Sequence, residues 1–288
     1  VELIRLANAL GAEIAGIDLS APLHDPARSA LLQLWPEHKV LLFRGQSLTP
    51  AQLIRFSACF GELERHDNYP PQLRHPDHPE LLVVKATQVD GRRVTFGQQW
   101  HGDLTYTLRP AAGACLYCLT MPPVGGDTVF ANTEMALAAL SPAMQQMLAR
   151  LEVVHDITHG RSLRQASDAQ RAAAARLNPP VIQPMIRSHP RTGRKSLFIS
   201  EWMCSRIAGM SEEESVGLLR FLTAHCVREE FTFRQRWQVG DVLLWDNRST
   251  IHVALADYPA DVPRELLRTS IVGEPLGRPM SPDLENNR

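Results

Sequence analysis

The apolar runs of this chain are short, strand-like and irregularly interleaved with helices, and that order excludes most large architectures. Val40-Leu-Leu-Phe43, Leu81 to Ala86, Ala111 to Leu119, Thr128 to Ala131, Phe231 to Trp237, Val242 to Trp245, His252 to Ala256 and Leu267 to Val272 all read as strands. An earlier segment, Glu13 to Leu19, alternates with period 2. A doubly wound nucleotide-binding sheet needs regular β-α alternation and a glycine-rich phosphate loop. Neither is present, so the expectation is a mainly β protein with inserted helices around an antiparallel core.

Local signals place the helices. Asp25 and Pro26 open one that runs through Trp35. Thr49-Pro50-Ala51-Gln52 is a capping box with proline at the first helical position, starting a helix to about Phe60 that Gly61 closes. Ser211-Glu-Glu-Glu214 is a second box, and Leu218, Leu219, Phe221 and Leu222 form the apolar face of its helix. Thr133 and Ser141-Pro142 start helices ending near Leu151, and Arg161 to Asn178 is polar and Ala-rich. Together they predict a helical insertion around 133–178 within one domain spanning 1–288. His66 to Pro79, rich in His, Pro, Asp and Asn, is irregular and suited to a lid.

Composition narrows the partners. The 288 residues carry 30 basic and 31 acidic side chains, a formal charge of −1 with no footprint for nucleic acid or an anionic membrane. No segment approaches the roughly 18–20 apolar residues of a membrane span. The N-terminus lacks the basic-then-apolar order of a signal peptide. Five cysteines make an odd count in a long chain, which argues against a disulfide framework. Cys115 and Cys118 sit in Ala-Gly-Ala-Cys-Leu-Tyr-Cys-Leu without a second Cys/His pair, so they read as buried thiols of a strand. A cytoplasmic protein without nucleic-acid or membrane partners is expected.

Chemistry concentrates in two places. In Trp100-His101-Gly102-Asp103, strand geometry would point residues i and i+2 to one face. His252 follows Trp245-Asp-Asn-Arg-Ser-Thr-Ile far along the chain. Two imidazoles and one carboxylate on one side of a metal form the facial triad of non-heme Fe(II) oxygenases. A His-x-Asp also arises by chance, and the same three groups would suit a zinc hydrolase. The company of the triad separates these readings. Thr128 lies some two dozen residues after Asp103, beyond the turn Gly125-Gly126-Asp127, and Arg264 lies a dozen after His252.

With these spacings the chain resembles the family of taurine dioxygenase and 2,4-dichlorophenoxyacetate dioxygenase. The likeness extends to Val40-Leu-Leu-Phe-Arg-Gly45, Arg187-x-His189-Pro190-x-x-Gly193, Trp245-Asp-Asn-Arg248 and Arg264-Glu-Leu-Leu-Arg268-Thr, and runs from near residue 9 to about 275. The resemblance implies a double-stranded β-helix (jelly roll) in which His101, Asp103 and His252 hold Fe(II). It implies 2-oxoglutarate as cosubstrate, its far carboxylate on the fork of Arg264 with the Thr128 hydroxyl beside it. O₂ is the oxidant, and ascorbate supports such enzymes in vitro. The products would be succinate, CO₂ and a substrate hydroxylated at a C–H, which collapses when a heteroatom is adjacent.

The same resemblance places Arg268, His66 and Tyr69 on the anionic head group of a small-molecule substrate. Gly97, Met203 and Ile157 stand where the taurine enzyme has an Asn and two aromatics, which implies a roomier pocket and a bulkier anion: an alkyl or aryl sulfonate, a sulfate ester or an aryloxyalkanoate. Relatives suggest a homo-oligomer, dimer or tetramer. The other readings are a zinc hydrolase and a non-catalytic jelly roll that binds a small anion. A hydrolase gives Thr128 and Arg264 no task at their spacings, and an intact triad speaks against a lapsed enzyme.

Overall fold

The computed structural model describes residues 2–67, 69–89, 92–94, 97–159, 163 and 166–280. The chain opens with β1 (Glu2–Arg5) and β2 (Ala12–Ala15), then α1 (Asp25–His38), β3 (Val40–Phe43) and α2 (Pro50–Ala58). After a 3-10 turn at Pro71–Leu73 come β4 (Leu82–Lys85) and the hairpin β5 (Thr87–Val89) and β6 (Arg92–Val94). Next are β7 (Gly113–Thr120), β8 (Thr128–Asn132), α3 (Thr133–Ala138), α4 (Pro142–Leu148), β9 (Glu152–His155) and α5 (Asp168–Leu177). Four short strands follow: β10 (Val181–Pro184), β11 (Ile186–Ser188), β12 (Lys195–Leu197) and β13 (Cys204–Ile207). Helix α6 (Glu212–Cys226) leads into β14 (Thr232–Gln235), β15 (Val242–Asp246), β16 (Thr250–Ala254), β17 (Glu265–Ile271) and β18 (Arg278–Pro279).

The large sheet has the order β1-β2-β3-β15-β7-β17-β4, and its central pairs from β3 to β4 run antiparallel. Smaller sheets, β14-β8-β16 and β13-β9-β10-β18, complete a jelly roll. Successive side chains of β7 alternate between two environments, as strand geometry requires. Cys115 and Tyr117 join Trp35, Leu53 and Phe56 of α1 and α2 on the outer face. Ala114, Leu116 and Cys118 join Phe130, Trp237 and Trp245 between the sheets. The two cysteines of the Cys-x-x-Cys thus lie on opposite faces as free thiols, and burial pushes both up to about 12.

Both capping boxes form: Thr49 with Gln52, and Ser211 with Glu214. Two expectations need correction. The 133–178 range is not purely helical, because β9 lies inside it and pairs with β10 and β13. Phe221 is 47% exposed, while Leu222 is fully buried and Leu218 and Leu219 pack beside it, so the apolar stripe of α6 turns away from Phe221. Arg161 and the residues beside it, in the polar stretch up to 178, lie mostly outside the described residues. No described helix is long and apolar enough to cross a membrane.

His155, on β9, is fully buried, stacks on Phe198 and meets the Cys204 thiol at 3.5 Å. Burial pushes its imidazole down to about 3. The unfolded chain therefore binds a proton near pH 6.5 that the folded chain refuses, so stability is full above that pH and falls as the pH drops towards 3. One such group contributes a slope of about 1.4 kcal/mol per pH unit. His155→Gln should make urea-unfolding stability less steep in pH by about that amount between pH 6 and 4, and an unchanged slope would contradict the assignment.

Candidate active site

Two backbone hydrogen bonds join the His-x-Asp segment to β16. His101 N–H donates to the His252 carbonyl at 3.0 Å and His252 N–H to that of His101 at 2.8 Å. The imidazole centroids then stand 4.2 Å apart. His101 forms only this isolated bridge, and Asp103 opens a turn in which Leu104 takes φ +53°. The expected strand over both residues is therefore replaced by a bridge and a turn, and it is the turn that swings the carboxylate towards the imidazoles. His252 also sits in mid-strand, not at a strand start, because β16 begins pairing at Thr250 opposite Asn132.

One ligand atom from each of His101, Asp103 and His252 lies within 4.8 Å of the other two, and all three residues are buried. Each imidazole Nε2 is 3.8 Å from Asp103 Oδ1. Burial lowers the ionisation of His101, and burial with the neighbouring His101 pushes His252 down to about 3. Both rings are thus neutral. Burial alone would raise the Asp103 carboxyl, but the Arg268 guanidinium, with the Asn247 hydrogen bond beside it, holds it below the ordinary carboxylate range. Two neutral imidazoles and a carboxylate are the donor set a divalent metal takes in a facial arrangement, with positions left for other ligands.

Outer contacts fix these donors. Asn247 Nδ2 donates to Asp103 Oδ2 at 2.9 Å, and Asn247 Oδ1 accepts from the Asp103 N–H and from Trp245 Nε1. Arg268 Nη2 reaches Asp103 Oδ1 at 2.9 Å. His101 Nδ1 lies 2.7 Å from the Gln99 carbonyl, which selects the tautomer that leaves Nε2 free. Trp202 meets the His101 ring edge-to-face at 4.9 Å. Behind them, buried Asp246 accepts from Arg248 Nη2 at 2.8 Å and lies 3.0 Å from His189 Nε2. Burial would raise its carboxyl, yet Arg248 and His189 hold it well below the usual range. Trp245 and the Asp246-Asn247-Arg248 turn therefore serve packing and ligand orientation together.

The triad lines a cavity of about 240 Å³. Thr128, Arg264, Arg268 and Tyr69 reach the same space, as do Gly97, Met203 and Ile157. Arg264 is almost wholly buried; its Nε donates to the Gly126 carbonyl at 2.9 Å, and no ion pair to it is found among the described residues. Glu265 pairs instead with Lys85. Gly126 has φ +74°, and a Cβ there would crowd the Arg264 side chain at 3.2 Å, so the Gly-Gly-Asp-Thr turn is shaped around this arginine. Thr128 Oγ1 accepts from Trp237 Nε1 at 3.0 Å. His66 does not line the cavity. It is 1% exposed, lies edge-on to Tyr69 at 5.0 Å, and neither ring nitrogen has a hydrogen-bond partner among the described residues; burial, then Arg268, pushes it down to about 4. Tyr106, Trp202 and the apolar Leu82, Val84, Leu104 and Leu116 complete the walls.

The sequence profile described as "Taurine catabolism dioxygenase TauD, TfdA family" matches residues 2–270. The chain belongs to this family. This TauD/TfdA-family protein is 32% identical over 284 residues to an alkylsulfatase of Acinetobacter baylyi, covering 95% of this chain and 86% of the relative. It is 33% identical to the alpha-ketoglutarate-dependent 2,4-dichlorophenoxyacetate dioxygenase of Cupriavidus pinatubonensis, covering 91% and 94%. The solved structure of AAD-2 in complex with Mn(II) and N-oxalylglycine superposes with a TM-score of 0.83 at 27% identity, covering 96% of this chain and 99% of that one. The protein is a non-heme, 2-oxoglutarate-dependent dioxygenase that uses Fe(II) and O₂.

Asn247 gives a direct test of how the carboxylate is held. Loss of such an outer partner typically costs about 10–100-fold in metal affinity. Asn247→Ala should weaken Mn(II) or Fe(II) binding by that factor in a calorimetric titration while the folded far-UV spectrum persists.

Proposed function

We propose that His101, Asp103 and His252 hold the Fe(II) of this dioxygenase, that Arg264 and Thr128 hold 2-oxoglutarate, and that Arg268 and Tyr69, with His66 packed against Tyr69 rather than on the wall, form the end of the cavity that receives an anionic substrate. The observation that carries this reading is the shared cavity. Three converging donors stand at its wall, and a buried guanidinium with no carboxylate partner among the described residues opens onto it. When bound, iron with O₂ and 2-oxoglutarate supplies an oxidant able to take hydrogen from an unactivated C–H, one oxygen atom leaving in succinate and the other in the substrate hydroxyl.

The chain's own residues do the rest. The planar Arg264 fork matches a carboxylate in two hydrogen bonds and stays charged despite its burial. The Thr128 hydroxyl adds a third contact. Arg268 fixes the substrate head while its Nη2 remains on Asp103, which sets head group and metal ligand in one geometry. Leu82, Val84, Leu104, Leu116 and Ile157 exclude water from the organic tail, and Met203 adapts to its shape. Gly97 leaves the space beside His101 free, since a Cβ there would already meet the ring at 3.2 Å.

These walls support a substrate bulkier than taurine: an alkyl or aryl sulfonate, a sulfate ester or an aryloxyalkanoate. Hydroxylation at the carbon next to oxygen or sulfur gives a product that collapses to a carbonyl compound and the released sulfate, sulfite or phenol. The chain is proposed to work as one catalytic domain.

The test is succinate release under air with Fe(II), ascorbate and 2-oxoglutarate across a panel of these anions. Taurine as the best substrate by a wide margin would overturn the bulkier-anion reading. His101→Ala should abolish substrate-dependent succinate formation. Arg264→Ala should weaken 2-oxoglutarate binding by about 2–5 kcal/mol, the usual cost of truncating a buried charged pair. Unchanged 2-oxoglutarate affinity in that variant would remove Arg264 from the assignment.

A further inference from the structure

Tyr106 lies three residues beyond Asp103, on the turn that Leu104 bends with φ +53°, and lines the cavity beside Tyr69 and Arg268. Its phenol is hydrogen-bonded to that of Tyr69 and lies within electrostatic reach of both Arg268 and Asp103. Burial, then Tyr69, raises its ionisation well above the ordinary phenol range, so the group remains a hydrogen-bond donor.

The donors at this end exceed what a carboxylate needs. A carboxylate has two coplanar oxygens, which one guanidinium fork satisfies. Here the fork is partly committed: Arg268 Nη2 is on Asp103 Oδ1 at 2.9 Å and Ser270 Oγ at 3.2 Å, while Nε is buried without a partner. Tyr69 and Tyr106 add two hydroxyls, and the ring nitrogens of His66, which packs against Tyr69, have no hydrogen-bond partner among the described residues. The two phenols are hydrogen-bonded to each other and so leave one O–H between them for a ligand; that O–H, arriving from a different direction than the arginine, suits a pyramidal group with three oxygens better than a planar one with two.

We propose that Tyr106 is a head-group ligand that, with Arg268 and Tyr69, selects substrates ending in a three-oxygen sulfo group, a sulfate ester or a sulfonate, over carboxylates. This rests on the assignment of the Arg268 end of the cavity to the substrate head. Tyr106 also ties recognition to the metal site, because the turn that presents its phenol is the turn that presents Asp103.

The experiment compares hexyl sulfate, hexane-1-sulfonate and heptanoate, which share a straight alkyl tail, by kcat/KM for succinate release in the wild type and in Tyr106→Phe. The wild type should prefer at least one sulfo compound over heptanoate by about tenfold or more, the scale of one hydrogen bond to a charged group. Tyr106→Phe should lose about tenfold or more on that compound and less than about threefold on heptanoate, with 2-oxoglutarate affinity unchanged. Which sulfo compound is favoured separates ester from sulfonate. Equal losses on both head groups, or no loss, would overturn the role of Tyr106. Should the variant fail to fold, the wild-type ratio decides, and heptanoate equal to or better than both sulfo compounds sinks the proposal. If none of the three stimulates succinate release while 2-oxoglutarate still binds, it is the functional reading beneath it that fails.

Discussion

The site depends on two reciprocal backbone hydrogen bonds between His101 and His252. They join a loop before β7 to a strand near the end of the chain, and so set the His252 imidazole beside that of His101. Once the bridge closes, the Asp103 turn, the Asn247 amide and the Arg268 guanidinium have only to settle one carboxylate. The stiffness behind the bridge comes from Asp246. Its buried charge is compensated by Arg248 and His189, and removing one partner of such a group costs far more than the interaction contributes in net terms. The turn that launches β16 is thereby rigid before any metal arrives.

Burial divides the work between two arginines. Arg264 stands just before β17 and Arg268 within it, with a register irregularity between Glu265 and Leu266. Both reach the same cavity, yet they are differently committed. Arg268 is engaged with Asp103, whereas Arg264 is held by a backbone carbonyl and has no ion pair among the described residues. The outer face of β7 is given over to α1 and α2, so the chemistry is confined to the inner face, where Leu116 joins the wall.

Much of this was legible in the sequence because it is written in short-range spacing. The His-x-Asp, the Gly-Gly-Asp-Thr turn, the late His252 and the following Arg264 identified a reaction class, and both capping boxes announced their helices. What escaped was set by long-range contacts. Nothing local signals that Leu104 adopts a left-handed conformation, which costs a branched side chain on the order of 1–3 kcal/mol and is held by its surroundings. A strand was therefore expected where Asp103 turns. The four residues of β9 gain their identity from β10 and β13, and Phe221 was assigned to an apolar stripe whose actual direction depends on what α6 packs against. Tyr106 and Trp202 carry no pattern at all; only the fold brings them to the cavity.

The contact between Trp237 and Thr128 has a directional consequence. An indole N–H can only donate, so it occupies a lone pair of the threonine oxygen and leaves the hydroxyl hydrogen to turn elsewhere. Because Thr128 also lines the cavity, that hydrogen is free to turn towards it. A tryptophan in the hydrophobic interior thus sets the polarity of a group at the cavity wall: Thr128 offers a proton and presents less of its lone-pair density. A ligand bearing negative oxygen would find a donor there, while a ligand that could only donate would have one remaining lone pair instead of two.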